Sequence, residues 1–125
     1  MFTKNYNDLA LAILRIGTSA MMLTHGIPKI ERLFAEVIQF PDPLGIGAST
    51  SLALVLIGEV VGPIFVLFGF RTKLAAIFPM ITMLVAFFFV HLNDPIAKQE
   101  KAILFFMAFL VIFLAGPGKY SVDKK

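Results

Sequence analysis

Apolar residues run along this chain in four long blocks, separated by compact polar interruptions. The first block covers residues 6–24, the second 51–70, the third 74–92 and the fourth 102–115. A helix that spans a bilayer needs about 20 apolar residues, at a rise of about 1.5 Å each. The second and third blocks meet this length by themselves. The first meets it only by enclosing Arg15. The fourth is short, and reaches across when Lys98 or Lys101 snorkels at one end and Lys119 at the other. The pattern predicts an all-α integral membrane protein, one four-helix bundle spanning residues 1–125.

The interruptions fit helices in their turn chemistry. Gly69, Arg71 and Lys73 make a tight turn between the second and third blocks. Asn93, Asp94 and Pro95 break the chain after the third, and "AGPGKY" (Ala115 to Tyr120) stops the fourth. The longest connection runs from Glu31 to Thr50. Its opening, "ERLFAEVIQF", reads as a short interfacial helix, and "PDPLGIGAST" as turns. Lys4 ahead of the run Leu9–Leu14 resembles the start of a signal peptide. No small-x-small cleavage site follows, and similar runs recur downstream, so this is read as a retained first span.

Four spans place both termini and the 71–73 turn on one side. That side holds Lys4, Arg71, Lys73, Lys119, Lys124 and Lys125; the other holds Lys29, Arg32, Lys98 and Lys101. The bias of lysine and arginine places both termini in the cytoplasm.

Composition strengthens this picture. Hydrophobic residues make up 58% of the chain and charged residues 15%, with a mean hydropathy of +0.88. Ordinary soluble domains carry about 25% charged residues, and a domain this small keeps too much surface to hide such an excess of apolar side chains from water. Lipid is the expected partner. With no cysteine, the chain offers no thiol redox chemistry and no thiolate metal site. A net charge of +3, scattered rather than clustered, gives no footprint for nucleic acid.

Arg15 and Glu59 sit within the predicted spans. Each costs about 2.5–3.5 kcal/mol there on insertion scales, so both should face the bundle interior. Counted from the inner ends of their helices, Arg15 lies about 10 Å deep and Glu59 about 16 Å, and an Arg15–Glu59 pair is expected. On the first helix, Arg15, Thr18, Ser19, Met22 and His25 share one face, with Lys29 joining them if the helix survives Pro28. Lys29 is within reach of Glu100 or Glu59. Gly58-xxx-Gly62 beside Glu59 is a small-residue pattern that mainly serves close helix packing.

Topology then brings His25, at the end of the first span, and His91, at the end of the third, to the outer boundary. Glu100 opens the fourth span at that level. The His91 face carries Phe88, Phe87, Leu84 and Met80, and the Glu100 face Ile103, Leu104 and Met107. A polar mouth over a slot of Phe and Met suits a flat amphipathic ligand such as a quinone. The plainer readings are an interfacial histidine at each span end and aromatic residues that only pack. No H-x-x-x-H spacing supports a metal site, and none is expected.

"LRIGTSAMMLTHGIPKI", "GEVVGPIFVLFGFRTKLAA", "NDPIAKQEKAILFF" and "GPGKYSVD" occur in this order over nearly the whole chain. In that order they resemble the signatures of the DoxX family of small bacterial membrane proteins. Lys119 and Val122 stand where the closing motif usually has arginine and leucine. The resemblance implies a four-helix bundle in the bacterial inner membrane. It also implies a link to redox complexes, quinone reduction or oxidative stress. Arg15, His25, Lys29, Glu59 and Glu100 match the family's polar positions. The expected function is a quinone-associated membrane subunit. His25, His91, Glu59 and Glu100 would handle protons, and Arg15, Lys29, Met22, Phe87, Phe88 and Met107 would line the ligand. Its expected partners are a second copy of the chain or a redox protein. The alternatives are a scaffolding subunit without chemistry of its own, and a small oligomeric transporter.

Overall fold

A computed structural model describes residues 6–35, 40, 42, 44–90 and 93–124, and shows four helical rods; no strand occurs among these residues. The first rod is α1 (Asn7–Gly26), which tightens without a break into a 3-10 stretch, Ile27–Phe34. Pro28 explains the change: it follows α1 directly and, lacking an N–H, cannot donate to the Thr24 carbonyl, so the α-helical ladder stops there and the chain tightens. The first helix thus outlasts the boundary at Thr24. The interfacial helix expected from Glu31 onward begins at Ile27, and its latter half lies outside the described residues.

The second rod is α2 (Ala48–Leu56), one π turn (Ile57–Val61) and α3 (Gly62–Phe68). The third is α4 (Thr72–Val85) followed by a π turn (Ala86–Val90), and the fourth is α5 (Ile96–Ala115). Three rods, Asn7–Phe34, Ala48–Phe68 and Thr72–Phe89, are long and apolar enough to cross a membrane. The fourth helix has the length, but its first turns carry Lys98, Glu100 and Lys101.

Successive rods pack side by side and α5 closes back on α1. The centre holds Met22, Val66, Ala75, Ala76, Met83, Ala102, Phe105, Phe109 and Ile112. α5 supplies four of these at helical spacing and turns Leu104, Met107, Val111 and Leu114 outward. In hydrocarbon such packing rests on close contact rather than on escape from water. Glycine provides that contact twice beside a proline. A Cβ on Gly26 would lie 2.5 Å from the Glu59 carbonyl oxygen, and one on Gly62 3.0 Å from that of Ala75. These are the carbonyls four residues before Pro63 and Pro79, whose rings remove the usual helical donor. Pro63 also accounts for the π turn: with that donor gone the ladder slips, and Gly62 N–H donates to Ile57 O.

One end of the bundle is sealed by the closing segment. Gly69 takes φ +70°, a left-handed cap, and a Cβ there would strike Ser121. Asp123 accepts from Arg71 N–H, Thr72 N–H and the Thr72 hydroxyl (2.9, 2.9 and 2.8 Å), capping α4. Asp8 accepts from Lys119 N–H. Both described chain ends therefore lie at the same end of the bundle.

Arg15 belongs to this end, which corrects the expected Arg15–Glu59 pair. The guanidinium is buried and donates to the carbonyls of Leu67, Pro117 and Tyr120 at 3.3, 2.7 and 2.8 Å. Glu59 lies level with Gly26, and the eleven positions from Arg15 to Gly26 span about 16 Å. That exceeds the reach of an arginine side chain. Replacing Arg15 by methionine should strand these buried acceptors and lower stability by about 3 kcal/mol. Unfolding in detergent micelles measures it, and an unchanged midpoint would refute the role.

At the opposite end Asp42 accepts from Ile46 N–H, Gly47 N–H and the Ser51 hydroxyl, each at 2.9 Å, and so fixes the entry to α2. The Gly47 N–H, with help from Ser51 and Ile46, holds this carboxyl below the ordinary aspartate range. A depressed folded value means the contribution is complete above the unfolded value and vanishes as pH falls through the folded one. The Gly47 and Ile46 amide resonances should titrate with a midpoint below the usual value of about 3.9. A midpoint above it would contradict the cap.

Candidate functional site

At the end away from the closing segment, a cavity of about 200 Å³ opens among all four rods. Its apolar floor is Met22, Met83, Ala86, Ala102 and Phe105, and its polar wall is His25, Lys29, Glu59 and Lys101. α1 brings Met22 and His25 to one face because they stand three positions apart. The 3-10 stretch swings Lys29 back over the bundle. The π turn carries Glu59 inward, where its side chain is 5% exposed. A second π turn begins at Ala86 on the opposite wall. π turns recur at functional sites because the extra residue re-aims a side chain that a regular helix would leave on the ladder.

Lys29 Nζ meets both oxygens of Glu59, at 2.9 and 2.8 Å. The lysine remains partly accessible and the glutamate does not, so the pair brings a carboxylate into the apolar interior with its counter-charge at the mouth. The His25 ring stands edge-on to Phe105, with centroids 5.6 Å apart and an interplanar angle of 85°. That contact orients the imidazole beside the cavity.

Of the residues expected at a site, the structure brings together Met22, His25, Lys29 and Glu59. Arg15 lies at the far end. Glu100 is exposed and stands on the outward stripe of α5 with Ile103, Leu104 and Met107, so that face is no wall of the cavity. Phe88 is also turned outward, whereas Phe87 packs against the core. His91 lies outside the described residues. The residue that sequence reasoning placed only as a snorkelling anchor is Lys101, which lines the cavity one turn before Phe105. The signal was its i, i+4 relation to Phe105, but an apolar α5 gives no periodicity to choose that face. Among the described residues no group of three or more His, Cys, Asp or Glu could hold a metal ion.

This is an all-helical membrane protein with a polar cavity in one half of its bundle. The DoxX family model matches residues 10–92, and the chain belongs to that family. It is 32% identical to an uncharacterized protein of Haemophilus influenzae, over 98% of this chain and 94% of that one. It is 31% identical to the inner membrane protein YqjF of Escherichia coli, over 97% of this chain and 95% of that protein. No solved structure matches it. The chain is a multi-pass protein of the inner membrane.

Lys29→Met would leave Glu59 buried without its counter-charge, at a cost of about 3 kcal/mol. Adding Glu59→Leu should recover most of it. A double-mutant cycle by detergent unfolding reads the coupling, and additivity of the two losses would show that the contact is energetically idle.

Proposed function

We propose that the chain is a quinone-associated membrane subunit whose cavity receives a ring headgroup from the bilayer. The observation that carries this reading is one small cavity with an apolar floor and hydrogen-bonding groups along one wall. At about 200 Å³ it is smaller than the roughly 300–1,000 Å³ of sites that engulf a whole ligand. It therefore suits a head whose tail stays in lipid. Met22, Met83 and Phe105 would hold the ring faces. His25 and Lys29 would donate to ring oxygens, and Glu59, released from Lys29 as the lysine turns to the ligand, would accept or return a proton. Histidine suits the exchange because its unperturbed value lies near 6.5.

In this reading both termini face the cytoplasm, in keeping with the excess of lysine and arginine at the closing end. Two-electron reduction of a quinone also takes up two protons. The electrons would come from a partner redox protein, since the chain has no cysteine to carry them.

Equilibrium binding of short-tailed ubiquinone and menaquinone analogues to the protein in micelles tests the reading. Saturable binding at one site per chain is expected, weakened about tenfold by His25→Phe through the lost hydrogen bond. Absence of saturable binding by either analogue would overturn it.

A further inference from the structure

Charge around the cavity is unbalanced. Glu59 is matched by Lys29, both of its oxygens being engaged. Lys101 lines the same cavity from the first turns of α5 and forms no ion pair among the described residues. Its nearest carboxylate in sequence, Glu100, lies outside the lining and faces outward. His25, the remaining titratable group of the lining, adds no negative charge in either of its protonation states. Among its described lining residues the site therefore holds one positive charge in excess.

An ammonium beside an apolar floor costs desolvation free energy when a neutral ligand covers it, and gains a charge-assisted hydrogen bond when an anion does. Resting on the ring-binding reading above, we propose that the cavity selects ligands bearing one negative charge on the ring, such as an acidic hydroxyquinone, over their neutral counterparts, with Lys101 as the selecting residue. The floor of Met22, Met83, Ala102 and Phe105 takes the ring, and Lys101 takes the ionised oxygen. For such an anion Lys101 takes the place that Lys29 has for a neutral quinone, and the Lys29–Glu59 pair stays closed. Lys101 stands at the exposed start of its helix, so its replacement leaves the buried core of α5 undisturbed.

Two probes of the same ring size separate charge from shape: 2-hydroxy-1,4-naphthoquinone, an anion at neutral pH, and its neutral methyl ether. Binding of each to the full chain in micelles at pH 7 is compared for the native protein, Lys101→Met and Lys101→Arg. The hydroxyquinone should bind about tenfold more tightly to the native protein. Lys101→Met should bring the two affinities together, and Lys101→Arg should retain the preference. Equal affinities in the native protein, or a preference that survives Lys101→Met, would overturn the selectivity while leaving ring binding in place. Failure of both probes to bind would remove the selectivity together with the ring-binding reading beneath it.

Discussion

Hydrocarbon offers no hydrogen-bond partner, and the arrangement of this bundle follows from that fact. Helices satisfy the backbone within each rod, and each buried charge then has to find its partner inside the protein. Arg15 finds carbonyls left over at the ends of a helix and a turn. Glu59 finds a lysine delivered from the mouth. Among the described residues one buried side-chain atom, the hydroxyl oxygen of Ser19, is left without a partner. It lies on α1 between the two charged centres, one helical turn from each of Arg15 and Met22. The polar residues thus form two separate stations along a single helix face: one sealed by backbone carbonyls, the other open to a cavity.

The fold was legible because its signal is long and repeated. Apolar blocks of bilayer length, the Gly69 turn and the Gly116–Gly118 stop are local features that lipid makes decisive. Partner choice was less legible. Arg15 and Glu59 are opposite charges at similar nominal depth, and side-chain pairing is what a sequence displays. The acceptors of Arg15 are backbone carbonyls, two of them from a segment more than a hundred residues away, and no residue type announces them. Lys29 was readable as a partner for Glu59 only on condition that the helix continue past Pro28, which it does in a tighter form. On α5, apolar residues occupy every face, so sequence alone could not decide that Ala102 and Phe105 turn inward while Leu104 and Met107 turn out.

The two glycine–proline contacts link fold and site. Each proline frees a carbonyl on its own helix, and each glycine on the neighbouring rod gives that carbonyl room. At the Pro63 contact the neighbour is Gly26, the last residue of α1 before the stretch that carries Lys29. The spacing that lets the first two rods touch is therefore the spacing that sets the lysine over its carboxylate. A side chain added at Gly26 would act on the cavity without entering it.

The closing segment has a consequence for the order of assembly. Pro117 and Tyr120 are synthesised more than a hundred residues after the arginine that donates to them. Until that segment is made, the guanidinium lacks two of its three acceptors and must borrow water or lipid phosphate at the membrane surface. α1 can thus be inserted early but can settle at its final depth only when Pro117 and Tyr120 have reached it. A molecule truncated before Pro117 would keep α1 to α5 and still lack two of the three carbonyls that receive its buried arginine.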